Sequence, residues 1–167
     1  MAVWYEVENT VSGIKTFLDC VYAFHDYRIT CISYHDEDHS AEVFFKYDEI
    51  EGSLLLRFLG VSDMSVAVNV HYGLVNDIFG AVLLKLENGH MLWIDDDRFG
   101  DDSFLHIDKL KKDSSWIEAE KIIFSVTDKN GNPAEIPDNV IDQTWIIYGK
   151  KEYHHFELKP YTEKNES

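Results

Sequence analysis

The feature that most constrains this chain is a change of hydrophobic period. Val11, Ile14, Leu18 and Val21 recur at three- and four-residue spacing and mark a helix over residues 10–22. After residue 26 the period falls to two and stays there. One helix followed by seven or eight strand-like segments excludes a doubly wound α/β fold, which needs helices between its strands. The pattern predicts an α+β fold, predominantly antiparallel β: a bent sheet, sandwich or partial barrel with one N-terminal helix over an open face or edge.

The turns divide the strands. Residues 2–8 read as a short strand. Residues 27–34 alternate with Ile29 and Cys31 on one side and Arg28 and Thr30 on the other. Segments 43–47 and 54–59 complete an antiparallel meander, and 64–70 read as a further strand. Asn88-Gly89 joins segments 81–86 and 90–94 as a hairpin, because both turn residues tolerate positive φ. Residues 104–110 form a short helical turn, and 116–126 alternate with Trp116, Ile122, Phe124 and Val126 on one face. Asp128 to Pro133 is a turn, and a last hairpin pairs 145–148 with 153–158 around Gly149-Lys150. No repeat or long linker interrupts the chain, so a single domain is expected over 1–160, with a polar, frayed tail at 161–167.

With 167 residues, 45% of them hydrophobic and 14% aromatic, the chain has enough apolar surface to offset the entropy of ordering it. No stretch approaches the roughly 20 apolar residues that cross a bilayer. The first ten residues carry Glu6 and Glu8 and no basic side chain, the reverse of a signal-peptide start. Cys20 and Cys31 both lie in apolar patterns and read as reduced core thiols, so a cytoplasmic location is expected.

The net charge of −16 is uneven. Residues 1–108 hold 6 basic and 20 acidic side chains, net −14, whereas 109–167 hold 9 and 11, net −2. Such a field repels phosphates and anionic lipid heads, which argues against nucleic-acid and membrane partners, and it attracts cations and basic proteins. The densest acidic clusters are two turns. Asp36, Glu37 and Asp38 lie between His35 and His39; Asp95, Asp96, Asp97, Asp101 and Asp102 lie in the second loop. These eight carboxylates are the candidate partner-binding residues.

Catalytic and cofactor chemistry finds little support. His35 and His39 are four apart, but in a hairpin turn that spacing does not bring two rings together, and Glu37 is misplaced for a zinc-protease motif. Aligned as a calcium loop, Asp95 at position 1 leaves Phe99 at position 5 and His106 at position 12, where oxygen ligands belong. A cation-dependent enzyme or ligand binder using residues 95–102 stands as the alternative reading. Asp128, Asn130 and Asn132 imitate the same loop, but Pro133 takes the glycine's place. Neither a P-loop, a G-x-G-x-x-G nor a G-x-S-x-G occurs, so the sequence calls for no cofactor and no catalytic residue. Glu118 and Glu120 share a strand face as a candidate acid pair, and His25-Asp26 and His154-His155 are further candidates read as structural. Tyr5, Tyr34, Tyr47, Tyr72, Trp93 and Trp145 are candidate contact aromatics or core residues.

The stretch Phe24-His25-Asp26 opening a strand meander, followed by Leu54-Leu55-Leu56-Arg57-Phe58-Leu59-Gly60-Val61, resembles small bacterial β-rich proteins, some of them immunity proteins that accompany polymorphic toxins. The resemblance covers about a fifth of the chain and carries no catalytic residue. It implies a cytoplasmic, non-enzymatic inhibitor whose acidic face plugs a basic toxin.

Overall fold

The computed structural model describes residues 3–25, 27–46, 53–66, 76–78, 80–95, 107–112 and 114–163. In chain order the elements are β1 (Tyr5–Glu6), α1 (Val11–Cys20), β2 (Tyr27–His35), β3 (Ser40–Lys46), β4 (Ser53–Ser65), β5 (Asn76–Ile78), β6 (Val82–Lys85) and β7 (Met91–Ile94). Then come α2 (Ile107–Lys112), β8 (Trp116–Thr127), β9 (Pro133–Ala134), β10 (Val140–Ile147), β11 (Lys150–Glu157) and β12 (Lys159–Pro160). The main sheet is open and antiparallel, in the order β12-β1-β8-β4-β3-β2-β5, with β7 and β9 also pairing with β8 and β6 pairing with β7. β10 and β11 form a separate two-stranded ribbon. The α+β, mostly antiparallel class is as the periodicity predicts. Among the described residues, no helix is long and apolar enough to cross a membrane.

Thr10 starts α1 by accepting the Gly13 N–H on its hydroxyl at 2.9 Å, which satisfies one of the donors a helix start leaves open. The buried stripe is Ile14, Phe17, Cys20 and Val21. Val11, at the first turn of the helix, is 80% exposed. Directly after the helix, Tyr22, Ala23 and Phe24 all take left-handed φ values, of 54°, 49° and 61°. Such backbone costs about 1–2 kcal/mol per residue. The turn drops Phe24 fully into the core against Phe17, Tyr27, Phe45 and Trp93, and burying a ring of that size offsets part of the cost.

Three local irregularities overturn simple alternation. In β2 the register against β3 shifts between Ile29 and Cys31, so Ile29 is buried while Thr30 and Cys31 are both exposed. One extra residue in a strand flips the side chains after it. Cys31 is therefore a free surface thiol rather than a core one; Cys20 is free and buried as expected. The second irregularity is in β8, which is buried on both faces. Ile117, Ala119, Ile122 and Phe124 belong to the main core, whereas Trp116 joins Val82, Leu92 and Ile94 in a small second core on the opposite face. Trp116 and Ile122 thus do not share a face. α2 covers that second core with Ile107, and the Lys111 ammonium sits 4.0 Å over the Trp116 ring.

The third is at Gly60 and the register shift between Val61 and Asp63 just after it, across which the core-facing positions of β4 change from Leu54, Leu56 and Phe58 to Val61 and Met64. Gly60 has φ +63°, and a side chain there would meet the Glu120 carboxyl at 2.8 Å. β4 then runs on to Ser65 beside β8, so the strand expected over 64–70 begins as its continuation; 67–70 lie outside the described residues.

The hairpins follow their local signals. Gly89, with φ 85°, closes the β6–β7 loop through its N–H to the Leu86 carbonyl. Asp128 Oδ1 accepts the N–H groups of Asn130 (2.8 Å) and Asn132 (3.0 Å), which makes that loop an Asx turn. Tyr148 and Gly149 both have positive φ and form the two-residue turn of the ribbon. At the C-terminal end, β12 pairs with β1, and the Tyr161 N–H donates to the Trp4 carbonyl at 2.8 Å.

Candidate functional site

The first acidic turn is built by its neighbours. β2 and β3 pair up to His35 and Ser40, leaving Asp36, Glu37, Asp38 and His39 to turn the chain. Asp38 folds back on the start of β3, accepting the Ser40 hydroxyl at 2.6 Å and its N–H at 3.1 Å. The Ser40 hydroxyl and the nearby His35 hold the Asp38 carboxyl below its ordinary range. His39 takes φ +50°, its carbonyl accepts the Val61 N–H at 2.8 Å, and its ring lies 3.1 Å from the Tyr34 hydroxyl. The kink at Gly60 thus presents Val61 to the turn and pins it to β4. Asp36 and Glu37 are exposed and make no hydrogen bond or ion pair with a described residue; Tyr34 is 45% exposed beside them.

The second acidic loop is reached only at its first residue. Asp95 follows β7, and its N–H donates to the Ser115 carbonyl at 2.8 Å. Asp96, Asp97, Asp101 and Asp102 lie outside the described residues, as do Asp26, Tyr47 and Tyr72. Register places Asp95 relative to the first turn. Ile94 pairs with Trp116 and Trp116 with Ser65, four residues beyond Val61 on β4. Four residues along a strand and three strand spacings across the sheet give a separation of roughly 15–20 Å. That is about twice the screening length at physiological salt, so Asp95 is largely screened from the first turn.

The remaining candidates disperse. Glu118 accepts the Asn88 side-chain N–H at 3.0 Å and lies 3.3 Å from His90 Nδ1, whereas Glu120 is exposed and lies over Gly60. They serve different neighbours, not one acid pair. Tyr5 and Trp93 are fully buried and Trp145 is 9% exposed, so these three aromatics are core and Tyr34 is surface. Among the described residues, no three His, Cys, Asp or Glu side chains converge as metal ligands would.

The ribbon carries features that alternation did not single out. Its outer face exposes Ile146 and Tyr153, and its turn exposes Tyr148. Its inner face packs Trp145 and Phe156 against Cys20, and the His154 ring lies beside both, tilted on Trp145 and stacked on Phe156. On the outer face, Asp142 accepts hydrogen bonds from Tyr153 and from His155 Nδ1, the latter at 2.8 Å. These partners hold the Asp142 carboxyl below its ordinary range, and Asp142 in turn pushes the Tyr153 hydroxyl up. Because the folded carboxyl titrates lower than the unfolded one, its contribution is complete above the ordinary carboxylate range and is lost as pH falls through the depressed value, below about pH 4. The raised Tyr153 contributes below about pH 10 and loses its contact as pH rises past its folded value. Asp142→Asn is expected to return Tyr153 toward about 10 in an absorbance or NMR titration. An unchanged titration would show that Asp142 does not perturb it.

Comparison of the chain with protein-family models, with curated proteins and with solved structures finds no match.

Proposed function

We propose that this chain is a non-enzymatic protein-binding module, immunity-like in kind, that meets a basic partner through the acidic turn at residues 36–38. The observation that carries the reading is the turn's combination of fixed backbone and unengaged charge. Asp38 and His39 are tied to the strands on either side, while Asp36 and Glu37 point no charge at any described partner and stand next to exposed Tyr34. A held turn loses little entropy on binding. Its carboxylates sit in the field of a chain of net charge −16, which accelerates encounter with a cationic surface. Tyr34 supplies a rigid ring able to form a lasting contact.

The test uses Asp36→Asn with Glu37→Gln, leaving Asp38 in place because it caps β3. Basic proteins are captured on the immobilised chain at low and at physiological salt, and association is then timed. The double substitution is expected to slow association with a captured partner roughly three- to tenfold at low salt, with little change at high salt. No retention at either salt, or identical association rates, would remove the reading.

A further inference from the structure

A cleft of about 220 Å³ opens between the β10–β11 ribbon and the main sheet. Val21, Leu54, Phe124, Val126, Ile136 and Ile141 form its apolar walls, drawn from the end of α1, from β4, β8 and β10, and from the segment after β9. Among the described residues, no charged side chain or histidine lines it. A neighbouring cavity of about 170 Å³, across Cys20 and Phe124, differs in kind: Glu6, Glu8, Ser12, Thr16, Glu157 and Lys159 contribute to its lining. Buried water needs two to four polar partners, which the second cavity supplies and the first largely does not. An apolar cleft of this size is therefore better filled by an apolar guest than by water.

We propose that the cleft is a binding site for a small, uncharged, largely apolar molecule, a single ring or short branched chain of about six to nine non-hydrogen atoms. The size follows from volume, since an apolar cavity of about 150 Å³ accommodates benzene. Gln143 supplies the polar end. Its Nε2 donates to the Cys20 carbonyl at 2.9 Å, and its Oε1 accepts the Trp145 indole N–H at 2.7 Å. One N–H and one oxygen lone pair remain for a hydroxyl or carbonyl on the guest. Cys20 lines the cleft as a wall, not a nucleophile, because burial pushes its thiol up to about 12 and keeps it protonated at neutral pH. Binding is therefore non-covalent. The site is independent of the acidic turn, which is anchored at Val61 while the cleft sits at Leu54 near the other end of β4.

Toluene and indole are the probes, with glycerol as the polar control, added to the full chain while methyl resonances are recorded. Saturable shifts confined to Val21, Leu54, Val126, Ile136 and Ile141 are expected with toluene and indole, and none with glycerol. Val126→Phe, which fills the cleft from β8, should weaken toluene binding at least tenfold. If that variant does not fold, Ile141→Phe fills the same cleft from its half-buried position on β10 and should do likewise. Shifts that are unsaturable or scattered over the surface, or undiminished affinity in a folded, filled variant, would overturn the proposal.

Discussion

Phe45→Ala is expected to lower the unfolding free energy by about 4 kcal/mol, roughly a thousandfold in the folding equilibrium. Phe45 is wholly buried on β3, with ring centroids 5.0 Å from Phe24, 5.8 Å from Trp93 and 6.2 Å from Tyr27. Those three rings come from the left-handed turn after α1, from β7 and from β2. Removing the central ring leaves a cavity that they cannot all close, since each is held by its own element. The Phe24 turn, already carrying unfavourable backbone, also loses a contact that holds it in place. Denaturant unfolding monitored by tryptophan fluorescence measures the change. A loss under 1 kcal/mol would mean that the aromatic cluster is not the centre of the core.

Gly60→Val is expected to cost about 2–3 kcal/mol, and Gly60→Ala about 1 kcal/mol. The φ of +63° is the larger part of that cost, because a β-branched side chain tolerates left-handed backbone poorly. The clash with Glu120 is the smaller part, because that carboxyl ends an exposed, flexible side chain that can move away. The effect should also reach the acidic turn. If the kink relaxes, the Val61 N–H withdraws from the His39 carbonyl, and the Val61 amide should exchange with solvent faster than in the parent chain. Equal exchange at Val61 in a folded Gly60→Ala variant would show that the kink does not hold the turn.

The parts of this fold that were legible in the sequence are those set by neighbouring residues. Asn88-Gly89, Asp128 with Gly131, and Gly149 mark three turns whose closing contacts span a few residues. The acidic turn at 36–38 was legible for the same reason, as charge between two alternating segments. What was not legible depends on partners far along the chain. The bulge that turns Cys31 outward exists only against β3, and Trp116 belongs to a second core only because β7 lies beside β8. Alternation assumes one wet face, and β8 has none over Ile122, Ile123, Phe124 and Ser125. The apolar cleft was invisible because its lining is spread from Cys20 to Gln143, with no pattern in any single segment.

The turn at 36–38 is proposed to meet a basic partner by charge, with Tyr34 beside it as the anchor. The most direct test is the association rate of a captured basic partner as a function of ionic strength, for the parent chain and for Asp36→Asn with Glu37→Gln. A rate that falls steeply with salt in the parent chain and distinctly less steeply in the variant, the two converging at high salt, is expected. A rate indifferent to salt, or a variant with the same salt dependence as the parent, would contradict it.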